Sequence, residues 1–177
     1  MNSLDVRVLE AVYSGERGAW TWAMIALTML GSGWSTLALV PLVYAARTRR
    51  LGGLLGGAIG LQATAVWLVK RMVGRVRPWI AMGLPAPIGV PRDGSFPSGH
   101  AAGCFCVAAF LAVVLPVLLP GAVRRARLLG GLAILVAGLV GLSRVCLGAH
   151  FPSDVCAGAA LGGAIGGVAG RLYLSSR

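Results

Sequence analysis

Residues 98–119, SGHAAGCFCVAAFLAVVLPVLL, carry no charged side chain apart from the titratable His100 near their start. As an α-helix this stretch would be about 33 Å long, which is enough to cross a bilayer core of about 30 Å. Ser98 follows Pro97 and stands where an N-cap residue is preferred. The stretch therefore predicts a membrane-spanning helix that begins at Ser98.

Apolar segments of the same kind recur along the chain, which has 177 residues and is 57% hydrophobic but only 12% charged. No ordinary soluble domain needs so much apolar surface. We expect an all-α integral membrane protein in which residues 1–177 form a single domain. It should be a compact bundle of about six helices with five or six membrane crossings. The predicted helices are 18–31, 34–46, 51–73, 98–119, 123–143 and 152–172, preceded by a short amphipathic interfacial helix at 3–14.

Two segments are expected to depart from simple membrane crossings. Residues 18–31 would form a helix of only about 21 Å, so they either cross the membrane or enter its outer leaflet alone. Residues 78–97 are rich in Pro and Gly and predict a loop, with Pro78 ending the preceding helix. Three apolar residues of this loop either line a lipid entrance or anchor the chain at the interface: Trp79, Ile80 and Met82.

Small residues indicate where helices pack. Glycines at four-residue spacing let helix backbones approach closely in lipid. The two glycine ladders are Gly52, Gly56 and Gly60, and Gly158, Gly162, Gly166 and Gly170. The four cysteines have no zinc-binding spacing and are likewise expected to be small packing residues.

The formal net charge of +11 would suggest nucleic-acid binding in a soluble protein. Here the basic residues lie between apolar segments, so membrane orientation explains them better and no nucleic-acid partner is expected. One side, predicted to be cytoplasmic, holds Arg47, Arg49, Arg50, Arg124, Arg125, Arg127, Arg171 and Arg177. The opposite side still holds six basic residues, which indicates an anion site there: Lys70, Arg71, Arg75, Arg77, Arg92 and Arg144.

Three clusters of reactive side chains end on that second side: residues 70–78 (KRMVGRVRP), 97–100 (PSGH) and 143–154 (SRVCLGAHFPSD). Lys70, the only lysine, and Arg77 are two helical turns apart, so they are expected to share a face and bind phosphate oxygens. Alone, either cation would more simply be an interfacial side chain that extends towards water.

The two histidines of the chain suggest catalysis. His150 and Asp154 are four residues apart at a predicted helix start, so the carboxylate can hold one imidazole nitrogen and leave the other to attack phosphorus. His100 lies on a different helix and is free to protonate a leaving oxygen. Ser98 and Gly99 open a helix whose free N–H groups suit an anion. Each group has a structural alternative, a plain cap or a hydrogen-bonded packing histidine, but their combination favours a site.

Together the clusters match the pattern K-x6-RP, PSGH and SR-x5-H-x3-D at every fixed position. The sequence thereby resembles the type 2 phosphatidic acid phosphatase superfamily. The resemblance implies a six-helix membrane core, a site that faces away from the cytoplasm, and activity without a metal or other cofactor. It implies that His150 forms a phosphohistidine, that Asp154 orients it and that His100 is the general acid. It also implies a phosphate cradle formed by Lys70, Arg77, Ser98, Gly99 and Arg144.

We therefore expect a phosphatase of the cell inner (plasma) membrane that hydrolyses a lipid phosphate or pyrophosphate, with a polyprenyl (undecaprenyl-type) substrate favoured. Phosphatidylglycerol phosphate, phosphatidate and a lipid A phosphate are alternative substrates. A vanadium-dependent haloperoxidase has a similar pocket, but such enzymes are soluble. A non-catalytic lipid-phosphate-binding or transport protein would not need His100 as well as His150 and Asp154. The sequence indicates no oligomeric state.

Overall fold

The structure, a computed structural model, describes residues 3–13, 15, 18–31, 48–85 and 93–175. Within these ranges the chain is helical and contains no β-strand, which confirms the predicted all-α class. The predicted helix 34–46 lies outside them. The α-helices are α1 (Ser3–Val12), α2 (Ala19–Met29), α3 (Arg49–Val73), α4 (Pro78–Ala81), α5 (Gly99–Leu118), α6 (Val123–Cys146) and α7 (Pro152–Ser175), and a 3-10 turn (Pro120–Ala122) joins α5 to α6.

Four helical segments of the described chain are long and apolar enough to cross a membrane. They are Arg49–Ala81, Gly99–Leu118, Pro120–Cys146 and Pro152–Ser175. Helix α2 has 11 residues and is therefore only about 16 Å long, too short to cross a bilayer core of about 30 Å by itself. Of the two possibilities for residues 18–31, the structure thus favours partial entry into the membrane.

Helices α5 and α7 pack through the second glycine ladder. A methyl group on Gly162 would lie 1.9 Å from the carbonyl oxygen of Ala102, and one on Gly158 would lie 2.4 Å from that of Ser98. Larger residues would force the two backbones apart. Because Gly158 follows Asp154 by one helical turn, this contact holds the start of α5 against the start of α7.

In the first glycine ladder, Gly56 and Gly60 have no close helix neighbour among the described residues. No described atom outside the local helix backbone lies within 4 Å of a methyl group built on Gly56 or Gly60. These two glycines therefore form no packing seam within the described part of the chain. The four cysteines, predicted to be small packing residues, are free thiols, of which Cys106 and Cys146 are buried, Cys104 is partly buried and Cys156 is exposed.

Helix α3 ends where the sequence predicted, but Gly74 rather than Pro78 is the residue that ends it. The helix ends at Val73 because Gly74 adopts a left-handed conformation with φ 57° and donates its N–H to the carbonyl oxygen of Lys70. Pro78 does not end α3 but begins α4, at a position where its missing N–H costs no hydrogen bond. The loop predicted for residues 78–97 is therefore helical over its first four residues.

Helix α1 lies against the connection between α6 and α7. Leu9 is fully buried and packs with Val145 and Phe151. Leu4 and Val8, by contrast, are exposed. The helix forms where the sequence predicted an amphipathic helix, but its apolar residues divide between the protein, which Leu9 contacts, and the exposed surface.

The helix directions give the bundle two chemically different ends. The C-terminal ends of α3 and α6 and the N-terminal ends of α5 and α7 meet at one end, together with α1. Arg47 and Arg177, two of the eight arginines predicted to be cytoplasmic, lie outside the described residues. The remaining six lie towards the opposite end: Arg49, Arg50, Arg124, Arg125, Arg127 and Arg171.

Candidate active site

A cavity of about 310 Å³ lies where the three clusters meet. Its lining residues come from α3, α5 and α6 and from the segments that connect the helices, so residues far apart in the chain converge on one space. Ser98 and Asp154 lie behind the cavity wall and are fully buried. The other six predicted site residues line the cavity: Lys70, Arg77, Gly99, His100, Arg144 and His150.

The imidazole of His150 is contacted on both nitrogens. Its Nε2 lies 3.3 Å from Nη1 of Arg77. A guanidinium can only donate, so Nε2 must accept, and the ring proton belongs on Nδ1. Burial lowers the pKa of His150 to about 4, and the nearby positive charge of Arg77 acts in the same direction. The ring is therefore neutral at pH 7, with a lone pair on the nitrogen beside the cavity cations.

The Nδ1 side of His150 faces two oxygens rather than one. Oδ2 of Asp154 is 3.7 Å away, longer than a hydrogen bond, and Oγ of Ser95 is 3.5 Å away. Ser95 is fully buried and donates its own short hydrogen bond to the same carboxylate oxygen. Ser95 was not among the predicted site residues. Its position three residues before Ser98 was the available signal, but no pattern in the sequence showed that its hydroxyl faces inward.

Both oxygens of the buried Asp154 carboxylate accept hydrogen bonds from the surrounding residues. Oδ2 accepts the N–H of Phe151 at 2.8 Å as well as the Ser95 hydroxyl. Oδ1 accepts a hydrogen bond from Arg75 at 2.7 Å. A buried carboxylate is costly unless it is paired in this way. These contacts fix the orientation that presents Oδ2 to His150.

Two cavity cations are held together by a residue that the sequence analysis did not identify. Asp93 forms a 2.8 Å ion pair with Lys70 and a second ion pair with Nη2 of Arg77. Arg77 also donates from Nε to the backbone oxygen of Asp93 at 2.9 Å. Burial alone would raise the pKa of the Asp93 carboxyl, but the hydrogen bonds from Lys70 and Arg77 hold it below its usual value.

The predicted helical face shared by Lys70 and Arg77 does not exist, because α3 ends between them. Arg77 instead stands in extended backbone, with φ −73° and ψ 151°, just before α4. Their side chains are brought together because both form ion pairs with the Asp93 carboxylate. The predicted proximity is present, but it has a different structural cause.

Arg144 approaches the cavity from the last turn of α6 and is 6% exposed. Its Nη1 donates to the hydroxyl of Thr28 on α2 at 2.9 Å. Its Nε is buried without a hydrogen-bond partner among the described residues. A buried donor without a partner is unfavourable, so this nitrogen suits an incoming anion.

Ser98 caps the start of α5 as predicted, but fewer backbone N–H groups of this turn are free than predicted. The Ser98 hydroxyl accepts from the N–H of Ala101 at 3.4 Å, and the Ser98 N–H donates to the backbone oxygen of Asp154 at 2.9 Å. The free donors of this turn therefore begin at Gly99. His100, the next residue, lines the cavity. Its ring lies close to Gly31, because a methyl group built on that glycine would be 3.4 Å from the ring.

Anion binding at the cavity does not account for all six cations on this side. Arg71 stacks over Trp67, with its guanidinium carbon 4.2 Å from the ring centre. Arg75 is bound to carboxylates behind the cavity. Arg92 lies outside the described residues. Three of the six thus line the cavity, so the prediction that anion binding explains all six basic residues was too broad.

Comparison with known proteins identifies the family. A family model described as the PAP2 superfamily matches residues 51–176. The chain is 34% identical over 137 residues to decaprenylphosphoryl-5-phosphoribose phosphatase of Mycobacterium tuberculosis, covering 77% of this chain and 69% of that protein. It is 37% identical over 106 residues to phosphatidylglycerophosphatase B of Bacillus subtilis, covering 58% of this chain and 52% of that protein.

Solved structures agree with this assignment. A transmembrane PAP2-type phosphatidylglycerolphosphate phosphatase from Bacillus subtilis superposes with a TM-score of 0.81 at 28% identity, covering 98% of this chain and 86% of that one. LpxE from Aquifex aeolicus gives a TM-score of 0.71 at 26% identity, covering 98% and 96%. The fold and the site thus define a multi-pass membrane lipid phosphatase. The chain belongs to the PAP2 superfamily.

Proposed function

We propose that the protein hydrolyses a lipid phosphate or pyrophosphate without a metal ion, through a phosphohistidine on His150. One observation carries the proposal: Nε2 of a neutral, buried His150 accepts from Arg77 at 3.3 Å, and its cavity is also lined by Lys70 and Arg144. A nucleophilic lone pair beside three cations suits attack on an anionic phosphoryl group, whose charge the cations stabilise in the transition state.

The first step transfers the terminal phosphoryl group to the enzyme. Nε2 of His150 forms a bond to phosphorus as the bond from phosphorus to the leaving oxygen breaks. His100 gives its proton to that oxygen. Asp154, with Ser95, holds the Nδ1 proton and stabilises the positive charge that develops on the ring. Lys70, Arg77 and Arg144, with the Gly99 amide, hold the non-reacting oxygens, while Ser98 fixes the turn behind them.

The second step returns the enzyme to its starting state. Water attacks the phosphorus of the phosphohistidine, and the bond from phosphorus to nitrogen breaks. His100, now unprotonated, takes the proton from the water. Inorganic phosphate leaves, and His150 is again neutral.

A polyprenyl (undecaprenyl-type) phosphate or pyrophosphate is the favoured substrate. The support is the relative from Mycobacterium tuberculosis, whose name specifies a decaprenylphosphoryl compound and of which the chain covers 69%. Phosphatidylglycerol phosphate is the second candidate, favoured by the similarity to the Bacillus subtilis phosphatase with a TM-score of 0.81.

A substrate panel on the purified protein in detergent with EDTA tests this choice. We expect kcat/KM for undecaprenyl phosphate or pyrophosphate to exceed that for phosphatidylglycerol phosphate and phosphatidate by about tenfold or more, because a difference in lipid contacts of ~1.4 kcal/mol gives such a factor. His150→Ala is the control for contaminating phosphatases. A higher value for phosphatidylglycerol phosphate would assign the second candidate. Loss of activity in EDTA with recovery in Mg²⁺ would contradict the metal-independent mechanism.

The proposed location of the site is the extracytoplasmic face of the inner (plasma) membrane. The support is the set of six described arginines towards the opposite end of the bundle, which the positive-inside rule assigns to the cytoplasm.

Cysteine labelling tests this orientation in a variant whose four native cysteines are replaced by alanine. Glu10 is exposed on α1 at the site end, and Arg125 is exposed near the start of α6 at the other end. An impermeant maleimide should label Glu10→Cys in intact cells, whereas Arg125→Cys should be labelled only after lysis. The opposite pattern would reverse the proposed topology.

A further inference from the structure

We propose that Arg75 and Asp5 are positioning residues for the catalytic carboxylate, so that the N-terminal interfacial helix α1 is part of the catalytic apparatus. The inference rests on the proposed function, because Asp154 is taken to orient His150. Neither Arg75 nor Asp5 lines the cavity, and both act through Asp154.

The guanidinium of Arg75 joins two carboxylates from opposite ends of the chain. Its Nη1 donates to Oδ1 of Asp154 at 2.7 Å, and its Nη2 donates to Oδ2 of Asp5 at 2.8 Å. The other oxygen of Asp154, Oδ2, faces His150. Arg75 therefore holds the oxygen that points away from the histidine and thereby fixes the rotation of the carboxylate.

Asp5 fixes the position of Arg75 and is itself firmly held. Its two oxygens accept the N–H of Ser153 at 2.9 Å and the Ser153 hydroxyl at 2.6 Å, in addition to Arg75. It is 4% exposed. Burial alone would raise its pKa, but the hydrogen bonds from Arg75 and Ser153 hold the pKa of Asp5 below its usual value. Asp5 is therefore ionised at neutral pH and also supplies a negative charge to the first turn of α7.

The surrounding packing partly shields this ion-pair network from water. The Arg75 guanidinium lies 4.4 Å from the centre of the Phe151 ring, and Phe151 packs with the buried Leu9 of α1. Arg75 is left 23% exposed. Ion pairs are stronger where solvent is partly excluded, so the seating of α1 strengthens the contact between Arg75 and Asp154.

Asp5 and Asp154 compete for the guanidinium of Arg75, and through this competition Asp5 affects catalysis. Arg75 has two terminal nitrogens, and Asp5 binds one of them. Without that tether the guanidinium is free to bind both oxygens of Asp154 in a bidentate pair. Such a pair would draw Oδ2 away from Nδ1 of His150 and weaken control of the tautomer. Asp5 thus acts on catalysis through the geometry of Asp154.

The direct test compares Asp5→Asn with the matched variant Glu10→Gln, which removes an exposed carboxylate from the same helix. We expect Asp5→Asn to lower kcat by about 10–100-fold, by analogy with the loss caused by removing a hydrogen-bond partner that orients a metal ligand. KM and the unfolding temperature in detergent should stay close to those of the wild type, and Glu10→Gln should change none of the three. Arg75→Gln should resemble Asp5→Asn, while Arg75→Lys should recover part of kcat.

A second measurement separates positioning from simple anchoring of α1. In an Asp154→Asn background the carboxylate that Asp5 positions is gone, so Asp5→Asn should then cause no further loss of the single-turnover rate, measured with excess enzyme and radiolabelled substrate. An equal loss in both backgrounds, or a loss of kcat matched by a lower unfolding temperature, would overturn the proposal. Failure of the phosphohistidine mechanism is recognised separately, since His150→Ala would then retain turnover.

Discussion

His150→Ala is expected to abolish turnover, with kcat lowered by a factor on the order of 10⁴ or more. Removing the nucleophile lowers kcat by a factor of that order in other hydrolases that form a covalent intermediate. Here Nε2 of His150 is the nitrogen with a lone pair beside the cavity cations, 3.3 Å from Arg77. Steady-state phosphate release from undecaprenyl phosphate measures the effect.

The variant should still insert and fold. His150 lies in the connection between α6 and α7, outside the glycine seam that joins α5 to α7. Circular dichroism and the unfolding temperature in detergent provide the control. Turnover within tenfold of the wild type in a folded His150→Ala protein would contradict the proposed nucleophile.

His100→Ala is expected to fail in a way that depends on the leaving group. An alkoxide leaves poorly without a proton, so hydrolysis of undecaprenyl phosphate should slow by about 10²–10⁴, the range attributed to general acid catalysis. A phosphate monoester leaves far more easily unprotonated. The rate of phosphoryl transfer from undecaprenyl pyrophosphate should therefore fall by less than about tenfold.

The two substrates share one lipid chain, so binding in the membrane is matched and only the leaving group differs. Rapid-quench measurement of the first turnover isolates the step in which His100 acts as an acid. Equal losses with both substrates would show that His100 does not protonate the leaving oxygen and instead supports the cavity structurally.

The sequence was sufficient for the parts of the structure that depend on local pattern. The apolar run 98–119 predicted α5 to within one residue at each end, and the cap at Ser98 is present. The ladder ending at Gly170 predicted the seam with α5. Both features arise from residues close in sequence, whose side-chain size and hydrogen bonding decide the local conformation.

The parts that were missed depend on contacts between distant segments. Ser95 faces Asp154 across 59 positions of the chain, and Asp5 meets Ser153 across 148. No periodicity links such residues. The end of α3 at Val73 was predicted correctly, but its cause was not, because the left-handed Gly74 ends the helix and Pro78 instead begins α4. Arg77 therefore lies outside α3, and it is linked to Lys70 through Asp93 rather than through a shared helical face.

The central claim is covalent catalysis by His150, and trapping the intermediate tests it most directly. Undecaprenyl pyrophosphate labelled with ³²P in its terminal phosphate is mixed with the wild type, His100→Ala and His150→Ala, and the reaction is stopped with alkaline denaturant. We expect transient label on the wild type and more label on His100→Ala, because water attack on the phosphohistidine is slowed without its base. His150→Ala should carry none. Label retained on His150→Ala, with none on His100→Ala, would contradict the account.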